Sequence, residues 1–126
     1  MRILLIGLGG FIGSILRYWL SGVAQNAAAG SVFPIGTLVV NVIGCFAIGA
    51  LSELAETHGF MNPETRGLLI VGLIGGFTTF SAFANETLNA VRDGSVATAF
   101  INVVLSVAVG LTAVWGGRIM AALLWR

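Results

Sequence analysis

Four long apolar stretches, residues 3–23, 34–54, 67–91 and 96–124, take up most of this 126-residue chain. Each is near or above the roughly 20 residues that an α-helix needs to cross hydrocarbon. Water is absent there, so each segment must satisfy its own backbone, and only helices or closed barrels do that. Charged residues make up 9% of the chain and apolar ones 57%, against about 25% charge in an ordinary soluble domain. The reading is an all-α integral membrane protein: one four-helix transmembrane domain, 1–126, multi-pass, with both termini on one side. The first stretch holds Arg17 and runs on through Trp19 and Leu20 without a small-residue cleavage site, so it reads as a span and not as a signal peptide. The links at 24–33, 55–65 and 92–95 leave no room for a soluble domain. Cys45 is the lone cysteine, which excludes an intrachain disulfide and suits a small apolar filler.

Charge specifies orientation weakly. All six basic residues are arginine. Arg2, Arg66, Arg118 and Arg126 fall on the side of the termini, and Arg17 and Arg92 toward the other. Cytoplasmic loops are enriched in Lys and Arg, so this distribution allows either one slightly preferred orientation or insertion both ways. The second would permit an antiparallel dimer. Four helices barely enclose a pathway, and surfaces for close approach are available. Gly9, Gly13, Arg17 and Ser21 recur every fourth residue, Cys45 and Gly49 share a face, and so do Gly72 and Gly76. Small residues four apart let helix backbones approach, within a chain or between chains.

The third stretch departs from a plain span. Ten aliphatic or glycine residues, 67–76, lead into FTTFSAFANE at 77–86. Glycine pairs and adjacent threonines free backbone groups, which hydrocarbon tolerates only where they are buried in protein or line a wet cavity. A break at 75–79 is therefore expected. A half-helix ending near Gly75 would present free carbonyls to a cation, and one starting near Thr79 would present free N–H groups to an anion. Carbonyls of Gly75 and Thr78 are too few alone; a second copy across a two-fold axis would double them.

Polar residues within the spans are costly in lipid and normally face protein or water. Thr37 and Asn41 are four apart in the second stretch, and Thr98, Asn102, Ser106 and Gly110 form a four-residue repeat in the fourth. At roughly 100° per residue, these make two polar tracks. A lone Ser or Thr often bonds a carbonyl one turn back, but two mid-span asparagines need partners. Phe80 and Phe83, three apart, continue toward Glu86 as one drifting stripe. Ring edges carry partial positive charge, so phenylalanine edges lining a narrow path can solvate a small anion without trapping it. Asn41, Thr79, Ser81 and Ser106 could supply stronger donors.

The pieces GGFIGSILRYWL at 9–20, GTLVVNVIGCFAIG at 36–49 and GLIGGFTTFSAF at 72–83 resemble the Fluc (CrcB-type) fluoride channels, in order and at that family's spacing, over essentially the whole chain. The resemblance implies a dual-topology, antiparallel homodimer with two pores in the cell's plasma or inner membrane, exporting fluoride passively. It also implies a structural sodium ion at the dimer centre and no organic cofactor. By position, Phe80 and Phe83 would meet fluoride, Asn41 would be the pore-facing amide donor, and Glu86 and Ser106 would continue the polar track. Arg17 would sit near the vestibule, and backbone carbonyls of Gly75 and Thr78 would hold sodium. Thr37, Ser81 and Asn102 complete the expected fluoride pathway. Ala82 and Ala84 stand where many relatives carry hydroxyls, and Asn102 and Gly110 where some carry tyrosine and serine.

Fluoride is small and tightly hydrated, so a pore must replace its water while binding it weakly enough to release it. Phenylalanine edges with a few amide and hydroxyl donors suit that compromise. An ionised Glu86 would repel the ion, so its carboxyl is expected to turn toward hydroxyl or backbone donors, or to be protonated for part of the time. Two alternatives differ in class. A proton-coupled small multidrug exporter needs an embedded acid early in the chain, and the first stretch has none. A non-transporting scaffold subunit gains nothing from mid-span asparagines. Neither an enzyme nor a nucleic-acid partner is indicated; His58 is read as a solvated loop residue with no nucleophile beside a base.

Overall fold

The computed structural model describes residues 1–59 and 61–125. Arg126, counted above toward the terminus side, lies outside them, as does the His58 side chain. The described elements are helices: α1 (Arg2–Ala27), α2 (Ile35–His58), α3 (Pro63–Arg66), a π-helix (Gly67–Ile74), α4 (Gly75–Phe77), α5 (Phe80–Arg92) and α6 (Val96–Leu124). Among the described residues, four segments are long and apolar enough to cross a membrane: Arg2–Ala27, Ile35–Thr57, Pro63–Arg92 and Val96–Leu124. His58 closes α2 and is not a loop residue.

Local chemistry explains the ends. α2 stops at Gly59, whose φ of 58° is left-handed and open to glycine without a Cβ penalty. The third span starts at Asn62, where Oδ1 accepts the N–H groups of Glu64 at 3.1 Å and Thr65 at 2.8 Å. Pro63 follows at the first helical position, where its missing donor is not needed. The winding then widens from α to π over eight residues before returning to α, an unusual length for a form that mostly occurs as single-turn bulges.

Packing inverts the pattern of a soluble protein. Among the described residues, the buried apolar side chains are Val40, Ile74, Ala99 and Ala121, while large apolar residues along all four spans face outward. Glycine fills the contacts instead. α1 lies on the π-helix and α4, and α2 on α6. A Cβ on Gly72 or Gly76 would come within 2.6 Å of the carbonyl oxygen of Ile6 or Gly10. Gly9 and Gly13 similarly abut backbone at Leu68 and Leu73, and Gly49 at Val114. Lipid tails are as apolar as leucine, so van der Waals closeness of backbones replaces hydrophobic burial. The four-residue glycine repeat of α1 is thereby used within the chain. At the far end of α2 from Thr37, Arg118 of α6 forms a two-pronged pair with Glu56, both contacts 3.0 Å, and a 3.2 Å contact with Glu53.

Candidate functional site

Between α4 and α5 the chain leaves the helix for two residues. Thr78 (φ −87°, ψ 158°) and Thr79 (φ −151°, ψ 116°) are extended, a conformation that β-branched side chains favour. Their backbone groups find specific partners. Asn41 of α2 accepts the Thr79 N–H at 2.8 Å and donates to the Thr79 carbonyl at 3.0 Å, as a neighbouring strand would. Thr79 Oγ1 accepts the Ala82 N–H at 3.2 Å, capping α5. The Thr78 N–H and hydroxyl both return to the Ile74 carbonyl, at 2.9 and 3.0 Å.

These contacts decide which carbonyls are left over. In an α-helix each carbonyl accepts from the N–H four residues on. For Gly75 and Thr78 those N–H groups belong to Thr79 and Ala82, and both are committed to side-chain oxygens. Two neutral oxygens at a chain break could serve as ligands to a hard cation. No group of three His, Cys, Asp or Glu side chains converges among the described residues, so such an ion would rest on backbone.

Among the described residues, three clefts are linked to one another by shared lining residues, two of them at this break. The first, about 340 Å³, is lined by Asn41, Gly44, Thr79, Phe80, Phe83 and Ser106 among others. The second, about 280 Å³, includes Arg17, Thr37, Thr79 and Glu86. The third, about 500 Å³, includes Tyr18, Gln25, Thr37 and Glu86. Thr79 is shared by the first two, and Thr37 and Glu86 by the last two. The Phe80 and Phe83 rings lie 5.5 Å apart at 50°, at the start of α5, where free N–H groups and the helix dipole favour negative charge. Phe80 is 79% exposed on the single chain.

Of the residues singled out in the sequence, Asn41, Phe80, Phe83 and Ser106 thus meet at one cleft, and Arg17, Thr37 and Glu86 at the next. The Thr37 hydroxyl donates to Glu86 Oε1 at 2.6 Å, while Glu86 Oε2 is buried without a partner. Ser81 is exposed, 3.3 Å from Thr79 Oγ1, and lines none of the three clefts. Asn102 does not line them either. It is 2% exposed and pins α6 to α5: its amide donates to Thr87 Oγ1 at 2.9 Å, and Thr87 donates to the Phe83 carbonyl at 2.7 Å. Ser106 donates to Asn102 Oδ1 at 3.4 Å.

Gln25 escapes the sequence reading. Within α1, it donates to the Phe33 carbonyl at 3.2 Å and accepts the Gly36 N–H at 3.1 Å, fixing the start of α2 beside the third cleft. An amide within the small, uncharged 24–33 link is its one sequence signal.

Residues 4–118 match the family described as CrcB-like protein, Camphor Resistance (CrcB). Three similar proteins carry the name fluoride-specific ion channel FluC, one of them numbered FluC 1. That of Methylobacillus flagellatus is 47% identical over 116 residues, covering 92% of this chain and 91% of its own. That of Solibacter usitatus is 49% identical over 121 residues, with 96% and 98% covered. The numbered one, of Methanosarcina acetivorans, is 45% identical over 119 residues, with 94% and 89% covered.

Proposed function

The chain belongs to the CrcB-like family, and from that membership and the geometry of the break we propose that it is a passive, selective fluoride channel that exports fluoride across the cell membrane. The observation that carries the reading is the convergence of Phe80, Phe83, Asn41 and Ser106 on one cleft at the N-terminal end of α5. Ring edges and the second amide proton of Asn41 give a dehydrating anion weak donors and no fixed positive charge. Fluoride can shed water there without being held. Arg17 raises anion concentration at the neighbouring cleft. Thr37 holds Glu86 at the boundary between the second and third clefts, which limits how far the carboxylate reaches toward the ion. Asn102 and Thr87 position Phe83 from behind.

Two antiparallel copies, each contributing to two pores, complete the proposal. Gly75 before the break and Phe80 after it are both exposed and suited to cover by a second copy. The carbonyls of Gly75 and Thr78 from both copies would hold a sodium ion, which would offset the partial negative charge of oxygens brought face to face. Asn41 and Thr79 keep those carbonyls out of the helical ladder.

The test is direct. Liposomes containing the purified chain and loaded with potassium fluoride should release fluoride to an electrode once a potassium ionophore is added, and chloride-loaded ones should not. Phe80→Ile and Phe83→Ile keep bulk but lose the polarised edge, and each should cut efflux about tenfold, the value of one or so kcal/mol of ring interaction. No fluoride release, or equal chloride release, would overturn the reading.

A further inference from the structure

Among the described glycines whose added Cβ would come within 3.0 Å of another atom, Gly44 alone meets a side chain first, the γ-methyl of Thr78. The others meet backbone. Gly44 is buried in α2, three residues beyond Asn41, so the two lie on overlapping faces. Both act on the break: Asn41 on the backbone of Thr79, Gly44 on the side chain of Thr78. Thr78 is consequently held through its N–H, its hydroxyl and its methyl. Its N–H and hydroxyl go to the Ile74 carbonyl and its methyl fills the space that Gly44 leaves.

We propose that Gly44 is a positioning residue: it seats the Thr78 methyl, fixes Thr78 in its extended conformation, and thereby aims the Thr78 carbonyl out of the helix and sets the first turn of α5. This rests on the channel reading for its effect on flux, and on packing alone for its effect on stability. A methyl at position 44 must displace Thr78. Thr78 cannot turn its methyl elsewhere without surrendering the hydroxyl bond to Ile74, and moving its backbone would shift Thr79, the shared wall of two clefts, and Phe80 beyond it.

The experiment is a rescue, on full-length protein, read by thermal melting in detergent and by fluoride efflux from liposomes. Gly44→Ala should lower the melting midpoint by roughly 5–10 °C, the usual consequence of forcing a methyl into a packed site, and cut efflux about tenfold. Adding Thr78→Ser, which removes the methyl and keeps the hydroxyl, should recover most of both losses. Adding Thr78→Val instead, which keeps a methyl in the same place, should recover neither. If Gly44→Ala yields no folded protein, the yield of folded Gly44→Ala/Thr78→Ser is the readout. The proposal is overturned if Gly44→Ala matches the natural chain, if Thr78→Ser gives no recovery, or if Thr78→Val recovers as well. A natural chain that moves no fluoride, with the melting rescue intact, would defeat the channel reading and leave the seat standing. A conducting natural chain without the rescue would do the reverse.

Discussion

Asn41 shows how one side chain can serve architecture and permeation together. Its carbonyl and one amide proton are used by Thr79, leaving a second proton for the cleft it lines. The two uses separate by substitution. Asn41→Leu strands both the N–H and the C=O of Thr79, and each unsatisfied buried group costs about 1–3 kcal/mol. Asn41→Asp still accepts the Thr79 N–H, but it loses the donor to the carbonyl and brings negative charge to an anion's path. Melting should therefore rank the natural chain above Asn41→Asp and Asn41→Asp above Asn41→Leu, while fluoride efflux should be near background for both variants. Efflux from Asn41→Asp at the natural rate would show that the ion never approaches this residue.

At the scale of elements, α2 is the spine of the site. Thr37, Asn41 and Gly44 follow a 4, 3 spacing along one face, and they meet Glu86, Thr79 and Thr78 in turn. α6 contributes differently, through the Asn102 pin. Asn102→Leu removes that pin without emptying the volume and leaves Thr87 free to keep its bond to Phe83. It should lower the melting midpoint by roughly 3–8 °C and reduce efflux only modestly, with the preference over chloride intact. Phe83→Ile should show the opposite balance, since the ring faces the cleft. A loss of selectivity in Asn102→Leu would return that residue to the ion's route. The contrast marks what a sequence makes legible. Span lengths and polar positions follow from hydropathy, which is why four apolar helices are readable and why Asn41, Phe80 and Ser106 stand out. Whether a polar side chain faces a cleft or a neighbouring helix depends on rotation within the bundle, and Asn102 on its four-residue track carries no sign of that. The π winding of Gly67–Ile74 is equally silent, because α and π turns differ in hydrogen-bond register and not in residue polarity. The pairing of Thr37 with Glu86 bridges 49 positions, a separation that no local spacing rule reaches.

For the whole molecule the decisive quantity is the small charge difference between its two ends. In the sequence Arg2, Arg66 and Arg126 fall on the side of the termini and Arg17 and Arg92 toward the other, while Arg118 is held by Glu53 and Glu56. With the bias this slight, a few added charges outweigh it, because Lys and Arg counted over short loops set orientation. If the working unit is an antiparallel pair, a chain forced into one orientation has no partner. Asp93→Lys with Ser95→Lys adds positive charge at the α5–α6 turn, and Glu64→Lys with Thr57→Lys adds it at the opposite end. A C-terminal reporter active only on one side of the membrane should then report both orientations for the natural chain and a single, opposite one for each double variant. Either variant alone should fail to protect cells from added fluoride or to release it from liposomes. Produced together they should restore both, because each supplies the orientation that the other lacks. Full activity from one biased variant alone would rule out antiparallel pairing, and with it the doubling of the Gly75 and Thr78 carbonyls on which the central cation depends.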